Sequence, residues 1–282
     1  MIIKQSLFRT FYRAAFATYF SCNHLVFAAP PPFESFDQPY EIEQAIEEES
    51  LNFNEEVSRR LKVPISVQEH YAQRLEDALT DTGIVDLSPQ YIAMVDRSPN
   101  VQAIFIFIRT PQATWQWVGA SPVSTGKPGK FNYFQTPTGV FAHTLKNRDF
   151  RAEGTFNENH ILGYGYRGMR IFDFGWVVAK RGWYPGGSSK MRLQMHATDP
   201  YHLEPLLGKA GSMGCIRIPT TLNVFFDRHG ILDADYYQAL AKGKKLWMLR
   251  KNLDPTTLPG RYLVIIDSAT KKRPRWSALS HR

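Results

Sequence analysis

Val101-Gln102-Ala103-Ile104-Phe105-Ile106-Phe107-Ile108 carries no charge and consists almost wholly of β-branched and aromatic side chains. Such residues lose χ1 freedom in a helix and pack well on a pleated surface, so the stretch predicts a strand. Behind a turn at Thr110-Pro111, Thr114-Trp115-Gln116-Trp117-Val118 alternates and predicts a second strand. Gly126-Lys127-Pro128-Gly129 reads as a turn, and Thr138 to His143 as a strand entered after Pro137. Further strands are expected at Ile171–Phe174, Gly175–Ala179, Met191–His196, Leu246–Leu249 and Tyr262–Asp267. Helices are expected only at Thr221–Arg228 and Ala234–Ala241 in this part of the chain. Many short strands between Gly/Pro turns predict a mostly-β sandwich or barrel over residues 87–268, with a helical insertion after Cys215.

Residues 1–28 read as an export signal. Lys4, Arg9 and Arg13 form a basic start, a largely apolar stretch follows, and Val26-Phe27-Ala28 places small residues at the cleavage site. This points to the periplasm, or to a membrane anchor if the segment stays uncleaved. Residues 29–86 are expected to be a proline-rich leader and a helical extension. Glu47-Glu48-Glu49 precedes Arg59-Arg60, the order a helix dipole prefers, and Val67 to Leu79 has helical apolar spacing. A solvated helix is the simplest reading of that extension, and a packing arm, a partner surface or a cover over the substrate cleft are the alternatives. Residues 269–282 are expected to form a disordered basic tail.

The chain has 282 residues and is 43% hydrophobic, ample for a packed core. Its formal charge of +8 falls to +5 without residues 1–28, which hold three basic side chains and no acid. A basic exported protein suits a carboxylate-bearing or polyanionic partner. No nucleic-acid motif is present, so nucleic acid is not expected as a partner.

Cys22 leaves with the signal, and Cys215 then stands alone in an oxidising compartment, either reactive or buried. A cysteine nucleophile needs a base or a positive neighbour to become a thiolate, and a glycine beside it opens the backbone N–H groups to a substrate. His196 lies nineteen residues upstream, Gly214 immediately before and Arg217 just after. Cys215 is therefore the expected nucleophile, His196 the base, and the N–H groups around Met213, Gly214 and Cys215 the oxyanion donors.

Ser212-Met213-Gly214-Cys215-Ile216-Arg217, preceded by His196-Ala197, resembles the signature of the L,D-transpeptidase (YkuD-like) catalytic domain. Val123-Ser124-Thr125-Gly126-Lys127-Pro128-Gly129 and Thr136-Pro137-Thr138-Gly139-Val140-Phe141 resemble that family's upstream blocks, so the resemblance covers about residues 101–218. It implies an L,D-transpeptidase-like β domain that attacks the tetrapeptide stem of peptidoglycan. The cysteine would hold the acyl group as a thioester and pass it to a second stem, a free D-amino acid, a protein lysine or water. No metal or organic cofactor is implied, and carbapenem inhibition is characteristic of the family. A carbonyl beside the histidine can orient it, which is the place of Ala197. Arg217, Ser212, Met213 and Tyr164 are the expected substrate-side residues. Met213 departs from the pattern, because the family usually has histidine there, and methionine cannot carry a proton.

Rival readings follow from the same residues. Water as acceptor gives an L,D-carboxypeptidase or endopeptidase, and loss of activity at Met213 gives a peptidoglycan-binding module. Sortases place the histidine much farther upstream, and papain-like enzymes reverse the order of cysteine and histidine. Cys215 as an inert buried thiol and His196 as a satisfied core histidine are the bland alternatives. His143, His160, His202 and His229 show no metal-ligand spacing. Self-association is left open by the sequence.

Overall fold

The computed structural model describes residues 39–85, 87–251 and 253–278; the expected signal segment and the proline-rich leader lie outside these residues. Helix α1 (Pro39–Glu56) and helix α2 (Ile65–Asp81) come first. Strands β1 (Gln90–Asp96), β2 (Ala103–Arg109), β3 (Trp115–Pro122) and β4 (Gly139–Ala142) follow. Next are β5 (Phe150–Arg151), β6 (Arg170–Lys180), β7 (Ser188–Ala197) and β8 (Ile216–Ile218). Helices α3 (Thr220–His229) and α4 (Ala234–Ala241) precede β9 (Tyr262–Ile266). Among the described residues no helix is long and apolar enough to cross a membrane.

The strands form two mixed sheets, one ordered β3-β2-β1-β9-β4 and the other β5-β6-β7-β8. β1 is covered on both faces, which is why all its residues are buried. Tyr91, Ala93 and Val95 face a core shared with Phe172, Leu193, Met195 and Ile216 of the second sheet. Ile92 and Met94 face the other way, onto Tyr71, Leu75 and Leu79 of α2. Period-two alternation thus builds a sandwich with a helix on its outer face.

The helical extension is part of this core rather than a solvated arm. Phe53 of α1 stacks edge-on against Phe225 of α3, with ring centroids 5.5 Å apart. Its ring fills the space above Gly119, where an added Cβ would sit 2.1 Å from the ring. The expected disordered tail is also corrected for residues 271–278. Trp276 packs on Tyr71 and Phe105, and Ser277 Oγ donates to the Val101 carbonyl at 2.9 Å. Leu246–Leu249, expected as a strand, is irregular chain and turn, in which the Met248 carbonyl accepts from Arg151.

β6 runs through Gly175, where the sequence suggested two strands. A bulge between Asp173 and Trp176 absorbs the extra residue, and Gly175 adopts φ +85° there, beside the Asn147 side chain. β7 then lies antiparallel to β6 and parallel to β8, so a crossover of residues 198–215 must carry the chain back along the sheet. The cysteine ends that crossover.

Candidate active site

His196 is the penultimate residue of β7, and Cys215 immediately precedes β8. Parallel pairing sets His196 opposite Arg217 and Met195 opposite Ile216, so Cys215 falls at the level of Gln194. Nineteen residues of sequence separation are thereby reduced to a diagonal across one strand pair, on the order of 7–8 Å between backbone positions.

The Cys215 loop is clamped by two upstream segments. Gly211 and Ser212 donate their N–H groups to the Thr125 carbonyl, and Lys127 N–H donates to the Ser212 carbonyl. Ser124 and Arg217 exchange both main-chain hydrogen bonds, at 3.0 and 2.9 Å. From the second segment, Phe134 N–H reaches the Met213 carbonyl and Thr136 Oγ donates to the Gly214 carbonyl at 2.7 Å. The three blocks singled out in the sequence therefore meet around the thiol.

Inside the loop, Ser212 works on the main chain. Its Oγ donates to the Cys215 carbonyl at 2.5 Å and accepts from Gly214 N–H at 3.1 Å. Gly214 N–H is thus committed, which narrows the expected oxyanion donors. The N–H groups of Met213 and Cys215 donate to no protein acceptor among the described residues. Gly214 holds φ +136°, and a Cβ there would come within 2.8 Å of Met191. The positive φ favours glycine, whereas the contact is with the flexible end of Met191, which can move aside.

The imidazole of His196 is buried, and its Nδ1 lies 2.6 Å from the Ala197 carbonyl oxygen. A carbonyl can only accept, so Nδ1 carries the proton and Nε2 presents its lone pair. Burial pushes the imidazole down to about 4; the Ala197 bond opposes the shift and the Arg217 charge adds to it. His196 is therefore neutral at neutral pH. Ala197 contributes this carbonyl, while its side chain is buried against Met169 and Ile171 rather than turned toward a substrate.

Cys215 is half-buried, and its Sγ lies 3.7 Å from the Arg192 carbonyl oxygen. Burial raises the thiol above its ordinary value, while Gln194 N–H and the Arg217 charge pull it back and Asp173 adds to the rise. The resting site is therefore a thiol beside a neutral imidazole, not an ion pair.

Tyr164 connects the two. Its ring lies edge-on to His196 with centroids 4.5 Å apart, and burial together with the nearby Cys215 raises its phenol. Arg217 donates to the Gly211 carbonyl at 3.2 Å and makes no ion pair among the described residues; burial lowers its guanidinium. Met213 is 49% exposed beside the thiol.

Sequence reasoning missed Asp173, a buried carboxylate that accepts from Arg192 Nε at 2.7 Å, Gln194 Nε2 at 2.9 Å and Gly175 N–H at 2.8 Å. An acid inside the apolar run Ile171–Phe174 was the available signal, since a buried carboxylate demands partners. Tyr133, whose phenol interacts with Arg217, carried no such mark.

These residues define a mostly-β protein with a neutral, oriented imidazole and a thiol on adjoining strands, beside free main-chain donors. Neither protein-family models nor curated protein sequences give a match to the chain.

Proposed function

We propose that the chain is a cysteine acyltransferase of the L,D-transpeptidase (YkuD-like) type, exported to the periplasm and acting on the tetrapeptide stems of peptidoglycan. The observation that carries this reading is the His196 tautomer. A proton on Nδ1 leaves Nε2 as an acceptor on the strand adjoining the thiol. The resemblance of the three clamped segments to that family supplies the substrate class.

The chemistry balances on these groups. Cys215 leaves its contact with the Arg192 carbonyl, His196 Nε2 takes the thiol proton, and sulfur bonds to the amide carbon. The carbonyl oxygen gains the charge and is met by the N–H groups of Met213 and Cys215. The C–N bond breaks, the imidazolium returns its proton to the departing amine, and a thioester remains. An amine or water then attacks the thioester with His196 again as base, restoring the thiol. A second stem gives a crosslink, a D-amino acid gives exchange, a protein lysine gives anchoring, and water gives hydrolysis.

Met213 supplies no second proton carrier, so the thiol depends on His196 alone. The test is intact mass after incubation with a carbapenem, alongside Cys215→Ala. A stoichiometric adduct that requires Cys215 is expected. Folded wild-type protein with no adduct would overturn the acyltransferase reading in favour of a binding module. Muropeptide products then distinguish transfer from hydrolysis.

A further inference from the structure

β5 pairs with β6 only at Arg170 and Ile171, and β8 pairs with β7 only from Met195 to Ala197. From Trp176 to Arg192 the two long strands therefore run on as a two-stranded ribbon. Its turn is fastened to residues 127–135. Gly129 N–H donates to the Gly182 carbonyl at 2.6 Å, Gly182 N–H to the Tyr133 carbonyl at 2.8 Å, and Gln135 N–H to the Lys180 carbonyl at 3.0 Å. The two segments approach so closely that a Cβ on Gly182 would lie 2.6 Å from Pro128 Cα. Trp183 packs edge-on against Phe131 and Phe134, with ring centroids 5.5 and 5.0 Å away. Turn and segment thus form one braced tip.

The outer surface of this tip is aromatic and cationic. Tyr184 is 95% exposed and Phe131 73%. Along the ribbon, Trp176 and Val178 are exposed on one face, opposite Arg192 and Lys190. Residues 127–135 and 180–192 hold Lys127, Lys130, Lys180, Arg181, Lys190 and Arg192, and no Asp or Glu. Arg192 pairs with the buried Asp173, whereas the others make no ion pair among the described residues. Cations and rings are interleaved: Lys130 Nζ lies 5.9 Å from the Tyr133 ring centroid, and the Arg181 guanidinium 5.8 Å from that of Trp183. Large exposed apolar groups with a polar rim mark an interaction surface, and unopposed like charges favour an anionic one. A site for a discrete ligand is concave, but these side chains stand on a tip. Amphipathic rings among long-stemmed cations match the polar interface of a lipid bilayer.

We propose that this tip docks the protein on the surface of a bilayer containing anionic phospholipid. Phe131 and Tyr184 enter the headgroup layer, and the lysines meet lipid phosphates, each adding modestly to the attraction. Trp176 and Val178 extend the apolar contact along the ribbon. The tip lies on the membrane and does not cross it. The segment that braces it also holds the Cys215 loop, through Phe134 N–H on the Met213 carbonyl. Docking therefore sets that loop close to the bilayer. The binding itself needs neither the thiol nor the acyltransferase reading.

The test uses the full chain with both native thiols removed (C22S/C215A) and a polarity-sensitive fluorophore on Ser188→Cys, an exposed position beside the tip. Because the dye reports its own surroundings, attachment through residues 1–28 alone leaves it unshifted. Vesicles of phosphatidylcholine with about one-third phosphatidylglycerol should shift its emission to the blue, saturably and less so at high salt. The same dye on Gln112→Cys, in the β2–β3 turn, should not respond. K130E/K180E/K190E and F131S/Y184S change only exposed side chains, and each should raise the lipid concentration for half the shift about tenfold or more. Unchanged urea midpoints would show that these variants keep the fold. No shift at Ser188→Cys, an equal shift at Gln112→Cys, an equal shift with phosphatidylcholine alone, or a shift that either variant leaves unchanged overturns the proposal. A response to purified peptidoglycan sacculi and none to vesicles would assign the tip to the wall polymer and overturn it too. The carbapenem adduct is measured separately on the wild-type chain, so failure of either reading is distinguishable from failure of the other.

Discussion

The Nδ1–H of His196 donates to the carbonyl oxygen of its own neighbour Ala197, across 2.6 Å. A main-chain carbonyl does here what a carboxylate does in many catalytic triads, fixing the tautomer without adding a negative charge. The Ala197 bond only partly offsets burial, the Arg217 charge adds to it, and the imidazole is lowered to about 4.

Two consequences of that value can be measured. The base form of His196 persists down to about pH 4, so the acid limb of carbapenem adduct formation should fall near there rather than at 6.5. Stability moves with the same group. Between pH 6.5 and 4 the unfolded chain binds the proton and the native imidazole does not, so stability falls as pH falls. The full loss is on the order of 3 kcal/mol. Urea midpoints from pH 7 to 4 should therefore fall less steeply for His196→Gln than for wild type, and parallel slopes would contradict the assignment.

The thiol is tuned by two neighbours of opposite sign. Arg217 favours the thiolate and Asp173 disfavours it, both against a larger rise from burial. Arg217→Met should raise the thiol pKa and slow alkylation by iodoacetamide at fixed pH, whereas Asp173→Asn should lower it and speed the reaction. Alkylation rates against pH read both shifts, and a change of the same sign in the two variants would refute this account.

A separate set of charges is wholly buried. Arg170 donates to Asp149 at 2.6 Å and to both oxygens of Asp233 at 2.6 Å. His143 faces acceptors from both ring nitrogens, Leu232 carbonyl and Asp149, each at 2.8 Å, and so is held as an imidazolium. Burial lowers its pKa, and the Asp149 charge and hydrogen bond more than reverse this. His143 therefore stabilises the native chain fully below pH 6.5, and the contribution is lost as pH rises through its raised folded value. Wild-type melting temperature should fall relative to His143→Gln across that rise. Arg170→Met should cost about 3–5 kcal/mol, because it leaves buried carboxylates unpaired. A near-neutral result by chemical denaturation would sink the view that this network holds the fold.

Much of the β domain was legible because its strands carry local marks. The run at Val101–Ile108, the turn at Thr110-Pro111 and the apolar stretch at Met191–His196 each signal themselves within a few residues, and the structure has β2, β3 and β7 there. β1 was missed although it is central. Covered on both faces, Gln90–Asp96 has no alternation of apolar and polar residues to detect. Leu246–Leu249 misled in the opposite way, since an apolar run there forms irregular chain in which only Met248 is buried, Leu246 and Leu249 are half-buried and Trp247 is exposed. At the site, the spacing of His196 and Cys215 was readable and the acid of Asp173 inside an apolar run was a signal, but its partners Arg192 and Gln194 on the next strand were not marked. The His143–Asp149–Arg170–Asp233 network was hidden for the same reason.

β9 lies between β1 and β4, paired in parallel with the one and antiparallel with the other. A chain extended only as far as Cys215 therefore lacks an interior strand of the five-stranded sheet. β4, which continues from the segment clamping the Gly214 carbonyl, has no strand neighbour until residues 262–266 exist. Because such long-range pairing must wait for both partners, β4 can join the sheet only after β9, which ends 266 − 215 = 51 residues beyond Cys215, has been added.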